Sequence, residues 1–157
     1  MVSYLVVSVI LVIIDQLTKY FTVQNIDLYE VVEFIPNVVS LTYIRNTGAA
    51  FSILEGQMWF FYIVTVVVAA GLIYYMYTEA RENKILGFLL SLILAGAIGN
   101  FIDRLFLQYV VDMIKLEFID FAIFNVADSY LTVGVILLLI YTVYDERKTL
   151  KENNGDK

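Results

Sequence analysis

Long apolar runs separated by shorter polar stretches set the rhythm of this chain. A helix needs about 20 apolar residues to cross a hydrocarbon core of roughly 30 Å. Four stretches approach that length: residues 4–21, 58–77, 85–102 and 126–144. The second, MWFFYIVTVVVAAGLIYYMY, carries no charge, and aromatic residues cluster at its ends as in an interfacial belt. The first holds Asp15 and Lys19 in its later part, and the fourth has Asp128 near its start. The connecting segments have a different period. YEVVEFIPNVVSLTYIRN is rich in Val, Ile, Phe, Tyr and Thr and is broken by Pro36 and Asn37, which predicts two short strands around a turn. VDMIKLEFI sets Asp112, Ile114, Leu116 and Phe118 against Met113, Lys115 and Glu117, the alternation of a strand. The expected fold is a mainly α membrane protein, with four transmembrane helices and a small extracytoplasmic β-sheet over the outer helix ends.

Four spans put both termini on one side. The segments 78–84 and 145–157 hold Arg81, Lys84, Arg147, Lys148, Lys151 and Lys157, whereas the opposite side holds Lys19, Arg45, Arg104 and Lys115. That bias predicts cytoplasmic termini. The polar tail from residue 145 is expected to fray. MVSYLVVSVILVII has no basic leader and no small-residue cleavage site after it, so it is read as a retained first span. A length of 157 residues predicts one domain, 1–157.

Composition narrows the chemistry. The chain is 61% hydrophobic, against roughly 45–50% in soluble domains. It has no cysteine and no histidine, which excludes disulfides, thiol nucleophiles and a Ser-His-Asp triad, and leaves no zinc site of ordinary ligands. Acid–base work falls to carboxylates, Lys, Tyr or the backbone. A net charge of −6 argues against nucleic acid as a partner.

The polar groups in or beside the spans gather near one face, and each supports two readings. In DQLTK, Asp15 and Lys19 stand at i and i+4, the favourable order for an intrahelical pair. The pair either neutralises itself near the interface or braces a catalytic neighbour. RNTGAAFS follows a predicted strand. It is either a turn or a backbone platform for an extended peptide, with Gly48 free to adopt unusual angles and Asn46 offering an amide. GNFIDR places Asn100 and Arg104 on one helical face, and Asp103 beside Arg104 forms an interfacial anchor on the simpler reading. FNVADS sets Asn125 and Asp128 three apart. Asn125 fits a helix N-cap, with Asp128 in the first turn. Capping does not account for Asp112, in an apolar strand just before.

Two carboxylates from different elements, held about 3 Å apart, cannot both ionise and share a proton. One then activates water while the other protonates a carbonyl, which hydrolyses a peptide bond without metal, Cys or His. A proton-coupled transporter or channel, relaying through Asp15, Lys19, Asp103 and Asp128, is the competing reading. A membrane scaffold with capping acids and no activity is a second.

The motifs DQLTK at 15–19, NTGAAFS at 46–52, GNFIDR at 99–104, VVDM at 110–113 and FNVADS at 124–129 resemble, in order, those of lipoprotein signal peptidase (signal peptidase II), the bacterial membrane aspartic protease family. The resemblance implies four transmembrane helices with an extracytoplasmic β-cradle. It implies cleavage of diacylglyceryl-modified prolipoproteins just before the lipidated cysteine, no metal or cofactor, and inhibition by globomycin in the substrate groove. On this resemblance Asp112 and Asp128 are the catalytic pair. Asn46, Gly48, Asn100, Arg104 and Asn125 shape the pocket and hold substrate, and Asp15, Lys19 and Asp103 support them. Met113 stands where the family more usually has Phe, and is expected to line a wall without doing chemistry. Asp120 belongs to no motif and is expected on the solvent side of the connecting loop. The family's setting implies a bacterial cytoplasmic membrane, with the active site near the outer leaflet.

Overall fold

The computed structural model describes residues 1–48, 53–81 and 83–155. Ala49, Ala50, Phe51 and Ser52 of the NTGAAFS motif lie outside the described residues. The order is α1 (Val2–Asn25), β1 (Val31–Ile35), β2 (Val39–Asn46), α2 (Met58–Thr78), α3 (Lys84–Leu107), β3 (Val110–Leu116) and α4 (Val126–Gly155). All four helices are long and apolar enough to cross a membrane, and they match the expected spans apart from added turns at the ends. The largest difference is the tail: α4 continues to Gly155 instead of fraying from residue 145. From Val135 to Asn154 there is no glycine or proline, and the charged stretch is made largely of good helix formers.

Helix α3 is the centre of the bundle. About 67% of its span is buried, against 17%, 6% and 11% for the other three. Helices α1, α2 and α4 pack around it, and among the described residues the substantial helix packing of α2 is with α3. Leu86, Leu90 and Leu94 of α3 meet Ala69 and Met76 of α2, with Tyr4 and Leu5 of α1 and Leu138 and Tyr141 of α4 completing the cluster. The outward faces of the other helices, with Val9, Ile13, Val66, Val67, Leu139 and Ile140, stay exposed and suit a lipid surround. Close approach to α3 depends on small residues. At Gly99 a Cβ would fall 2.6 Å from the Asp15 carboxylate, and at Gly96 it would strike the Ala127 carbonyl oxygen of α4.

The three strands form one antiparallel sheet in the order β1-β2-β3, packed against α1 and α3. Asn37, at φ 59°, makes the turn after Pro36 in the left-handed region that Asn tolerates. Leu41 faces Ile114 and Ile44 faces Asp112, so β2 carries one extra residue there. Such a bulge re-aims the side chains around it. Val111 and Met113 turn to a small core with Tyr43, opposite to Asp112. Met113 is thus a core residue behind the sheet and does not line the cavity wall, because strand alternation sends neighbours of Asp112 to the other face.

Candidate active site

β3 leaves α3 after a tight stop. Gln108 takes a left-handed conformation, φ 65°, and its N–H donates to the Arg104 carbonyl. The strand then carries Asp112 over the helix ends, toward the start of α4. Asp112 is buried, at 2% exposure. Its Oδ1 accepts from Asn125 Nδ2 at 2.7 Å and its Oδ2 from Asn46 Nδ2 at 2.9 Å. Burial first, and the nearby Asp128 charge second, push its carboxyl up to about 7, against the pull of the two amides.

Asp128 lies in the first turn of α4, where Asn125 caps the helix. Asn125 Oδ1 accepts from the Asp128 N–H at 2.9 Å, and Asp128 Oδ2 accepts from the Asn125 N–H at 3.1 Å. This is a reciprocal capping arrangement. Asp128 Oδ1 accepts from Asn100 Nδ2 at 2.7 Å. Asn125 is fully buried and joins the two acids, because the Asp128 N–H holds its oxygen and so aims its amide at Asp112 and at Asn100 Oδ1, 3.1 Å away.

Behind this layer lies a buried ionic cluster. Lys19 Nζ contacts Asp15 Oδ2 at 2.9 Å, Asp103 Oδ2 at 3.0 Å and Asn100 Oδ1 at 3.0 Å. The ammonium thereby fixes the Asn100 amide with its nitrogen toward Asp128. Each acid also ties down a neighbouring element. Asp15 Oδ1 accepts from the Ala127 N–H at 2.8 Å, holding the start of α4, and Asp103 Oδ2 accepts from the Val111 N–H at 3.1 Å, holding β3. Gln16, within DQLTK but not among the expected site residues, donates to Asp103 Oδ1 at 2.9 Å and to the Gly99 carbonyl at 3.1 Å. It stands three residues from Lys19, a helical neighbour that the spacing could have flagged.

Asp103 and Arg104 do not form the anchor that their adjacency suggests. Consecutive residues on a helix diverge by about 100°, so Asp103 turns to Lys19 while Arg104 turns to α2. The Arg104 guanidinium lies 4.3 Å from the Phe61 ring centroid, and Nη2 donates to the Gly48 carbonyl at 2.9 Å. Among the described residues its buried Nε has no hydrogen-bond partner. Gly48 N–H in turn donates to Asn46 Oδ1 at 2.9 Å, so this backbone turn is held from both sides.

A cavity of about 800 Å³ opens over these groups, lined by Asn46, Asn100, Arg104, Asp112 and Asp128 and walled by apolar residues of α2, α4 and the loop after β3. Of the expected substrate-holding residues, Asn125 lies behind the acids and does not line it, and Gly48 reaches it through Arg104 and Asn46. Asp120 lies in the exposed loop, as expected. Two acids from different elements on one cavity, Asp112 buried and Asp128 half-buried, each held by N–H donors, form an arrangement suited to sharing a proton beside a bound carbonyl.

The model of the family described as signal peptidase (SPase) II matches residues 7–144. The chain belongs to the signal peptidase II family. A lipoprotein signal peptidase of Enterococcus faecalis is 52% identical over 155 residues, covering 99% of this chain and 96% of that one. One from Streptococcus pyogenes serotype M1 is 61% identical over 132 residues, covering 84% and 87%. A solved bacterial membrane enzyme superposes with a TM-score of 0.89 at 40% identity, over 93% of this chain and 90% of that one. A second gives 0.85 at 41%, over 92% and 95%. As a signal peptidase II member the protein is a multi-pass bacterial membrane protease of the aspartic class. The transporter reading is left without support, since its four relay residues cluster around one site.

Proposed function

We propose that the chain removes the signal peptide from diacylglyceryl-modified prolipoproteins, cutting just before the lipidated cysteine, with Asp112 and Asp128 as the catalytic pair. The observation that carries this reading is the opening of both acids onto one cavity, with Asn125 bridging them. One ionised carboxylate takes a proton from water as the oxygen attacks the scissile carbonyl. The other, protonated, donates to the developing oxyanion. When the tetrahedral intermediate collapses, the C–N bond breaks, the first acid passes its proton to the departing amine of the lipidated cysteine, and one hydroxyl of the intermediate returns a proton to the second acid. A coupled pair titrates as a unit, so the shared proton belongs to both.

Asn46, Asn100 and Arg104 hold the substrate backbone beside the acids, Gly48 positions Asn46 and Arg104, and Asn125 braces the pair. Asp15, Lys19 and Asp103 fix the elements that carry it. The site sits near the outer leaflet of the cytoplasmic membrane, with both termini in the cytoplasm. Membrane lipid surrounds the apolar helix faces, and globomycin competes for the groove. The chemistry needs no metal or other cofactor. Cleavage of matched precursors by the purified protein tests the reading: the diacylglyceryl form is cut and the unlipidated form is not, with EDTA present throughout. Equal cutting of both, or loss of activity that a divalent metal restores, would overturn it.

A further inference from the structure

The cavity continues past the acids along the helices, with Ala97 of α3 as floor, Thr65 and Val68 of α2 on one side and Thr132 of α4 on the other. The Tyr62 hydroxyl donates to the Arg104 carbonyl and Arg104 stacks on Phe61, which sets the level of α2 against α3. Thr65, one turn on from Phe61, therefore stands near the depth of Asn100. Thr132 follows Asp128 by one turn on the same face of α4, about 6 Å further in.

Serine and threonine hydroxyls on these helices otherwise turn back to a carbonyl three or four residues earlier, as Ser8, Thr18, Thr22, Thr78, Ser91, Ser129 and Thr142 all do. Thr65 and Thr132 are the exceptions among the described serine and threonine side chains beyond the first turn of a helix: neither hydroxyl makes a hydrogen bond. Both open onto the same cavity, from opposite walls. Their neighbours there, Val64, Val68, Ala97, Leu131 and Val133, are apolar. Thr65 is half-buried and Thr132 exposed, so each hydroxyl is open to a partner that a ligand in the cavity supplies.

We propose that Thr65 and Thr132 form a polar subsite that donates hydrogen bonds to carbonyl oxygens of the bound substrate. The inference rests on the functional reading above and deepens it. A peptide extended for cleavage exposes an unpaired carbonyl about every 3.3 Å, so the depth of Thr132 corresponds to about two residues upstream of the scissile bond. The glyceryl esters on the cysteine carry carbonyls at a similar remove, whereas the acyl chains beyond them carry none. In either case a carbonyl that has left water meets a donor in an apolar groove, and at the depth of Thr132 the described lining offers no other.

The test uses the full-length protein and two precursors, one with the natural diacyl ester on cysteine and one with an ether-linked dialkyl analogue. Thr65→Val and Thr132→Val keep the shape of the side chain and are expected to lower kcat/KM on the ester about fivefold each, mainly through KM. Thr→Ser at each position restores most of it. A loss confined to the ester substrate assigns the carbonyl to the lipid ester. An equal loss on both substrates assigns it to the peptide backbone. Valine variants that match the wild type on both overturn the subsite while leaving the functional reading intact. A wild type that cannot cut the lipidated precursor removes both.

Discussion

The two oxygens of Asp128 go to different partners: one completes the cap of α4 and the other meets Asn100 at the cavity. Capping and acid–base chemistry, alternatives in the sequence, are therefore both open to one residue. The three-residue spacing from Asn125 was legible. The lysine that aims Asn100 was not, because residues 19, 100 and 128 meet only through folding. Asp112 has a raised folded value, about 7 against 3.8. Between those values the native state holds more protons than the unfolded chain, so stability falls as pH rises through that window and levels off above about 7. The same loss of the shared proton predicts that kcat/KM declines above pH about 7, measurable as a pH profile on lipidated precursor. A flat profile to pH 9 would contradict the shared-proton assignment. Asp120→Asn, in the exposed loop, is expected to keep activity within about twofold. Lys19→Met leaves Asp15 and Asp103 buried without their cation, at a cost of about 3–5 kcal/mol. A clear drop in the unfolding midpoint in detergent is the expected readout, and an unchanged midpoint would remove the bracing role.

At the level of elements, hydropathy located all four helices, and the strand pattern located the three strands. Neither showed which helix is central. The third stretch is the most apolar of the four, but apolarity suits a lipid-facing helix as well as a central one, and α3 takes the interior because Gly96 and Gly99 let α4 and the Asp15 carboxylate come close. The bulge in β2 was also hidden, since an extra residue leaves no mark in an apolar strand, yet it goes with the facing of Asp112 away from the small core. Gly99→Ala tests this contact. The new methyl group meets Asp15, which holds both Lys19 and the Ala127 N–H. The expected cost is about 1–3 kcal/mol, read as a lower midpoint together with reduced turnover, whereas Ala at Gly71, where nothing lies within 4 Å, should be harmless.

For the whole molecule, α2 and α4 flank α3, and the cavity lies between them, its lining including the exposed Val64, Val68 and Val133. On the proposed function, a substrate already anchored in the bilayer would reach the acids without leaving it. The orientation this requires can be measured directly, because the chain has no cysteine. An impermeant maleimide applied to intact cells should label Glu33→Cys on the sheet and reach Arg147→Cys only after permeabilisation. The reverse pattern would invert the topology. The central claim is the acid pair itself, and its most direct test is turnover of lipidated precursor by purified Asp112→Asn and Asp128→Asn. Each variant should remain folded and lose at least about a thousandfold in kcat. Activity within tenfold of the wild type in either variant would contradict the assignment.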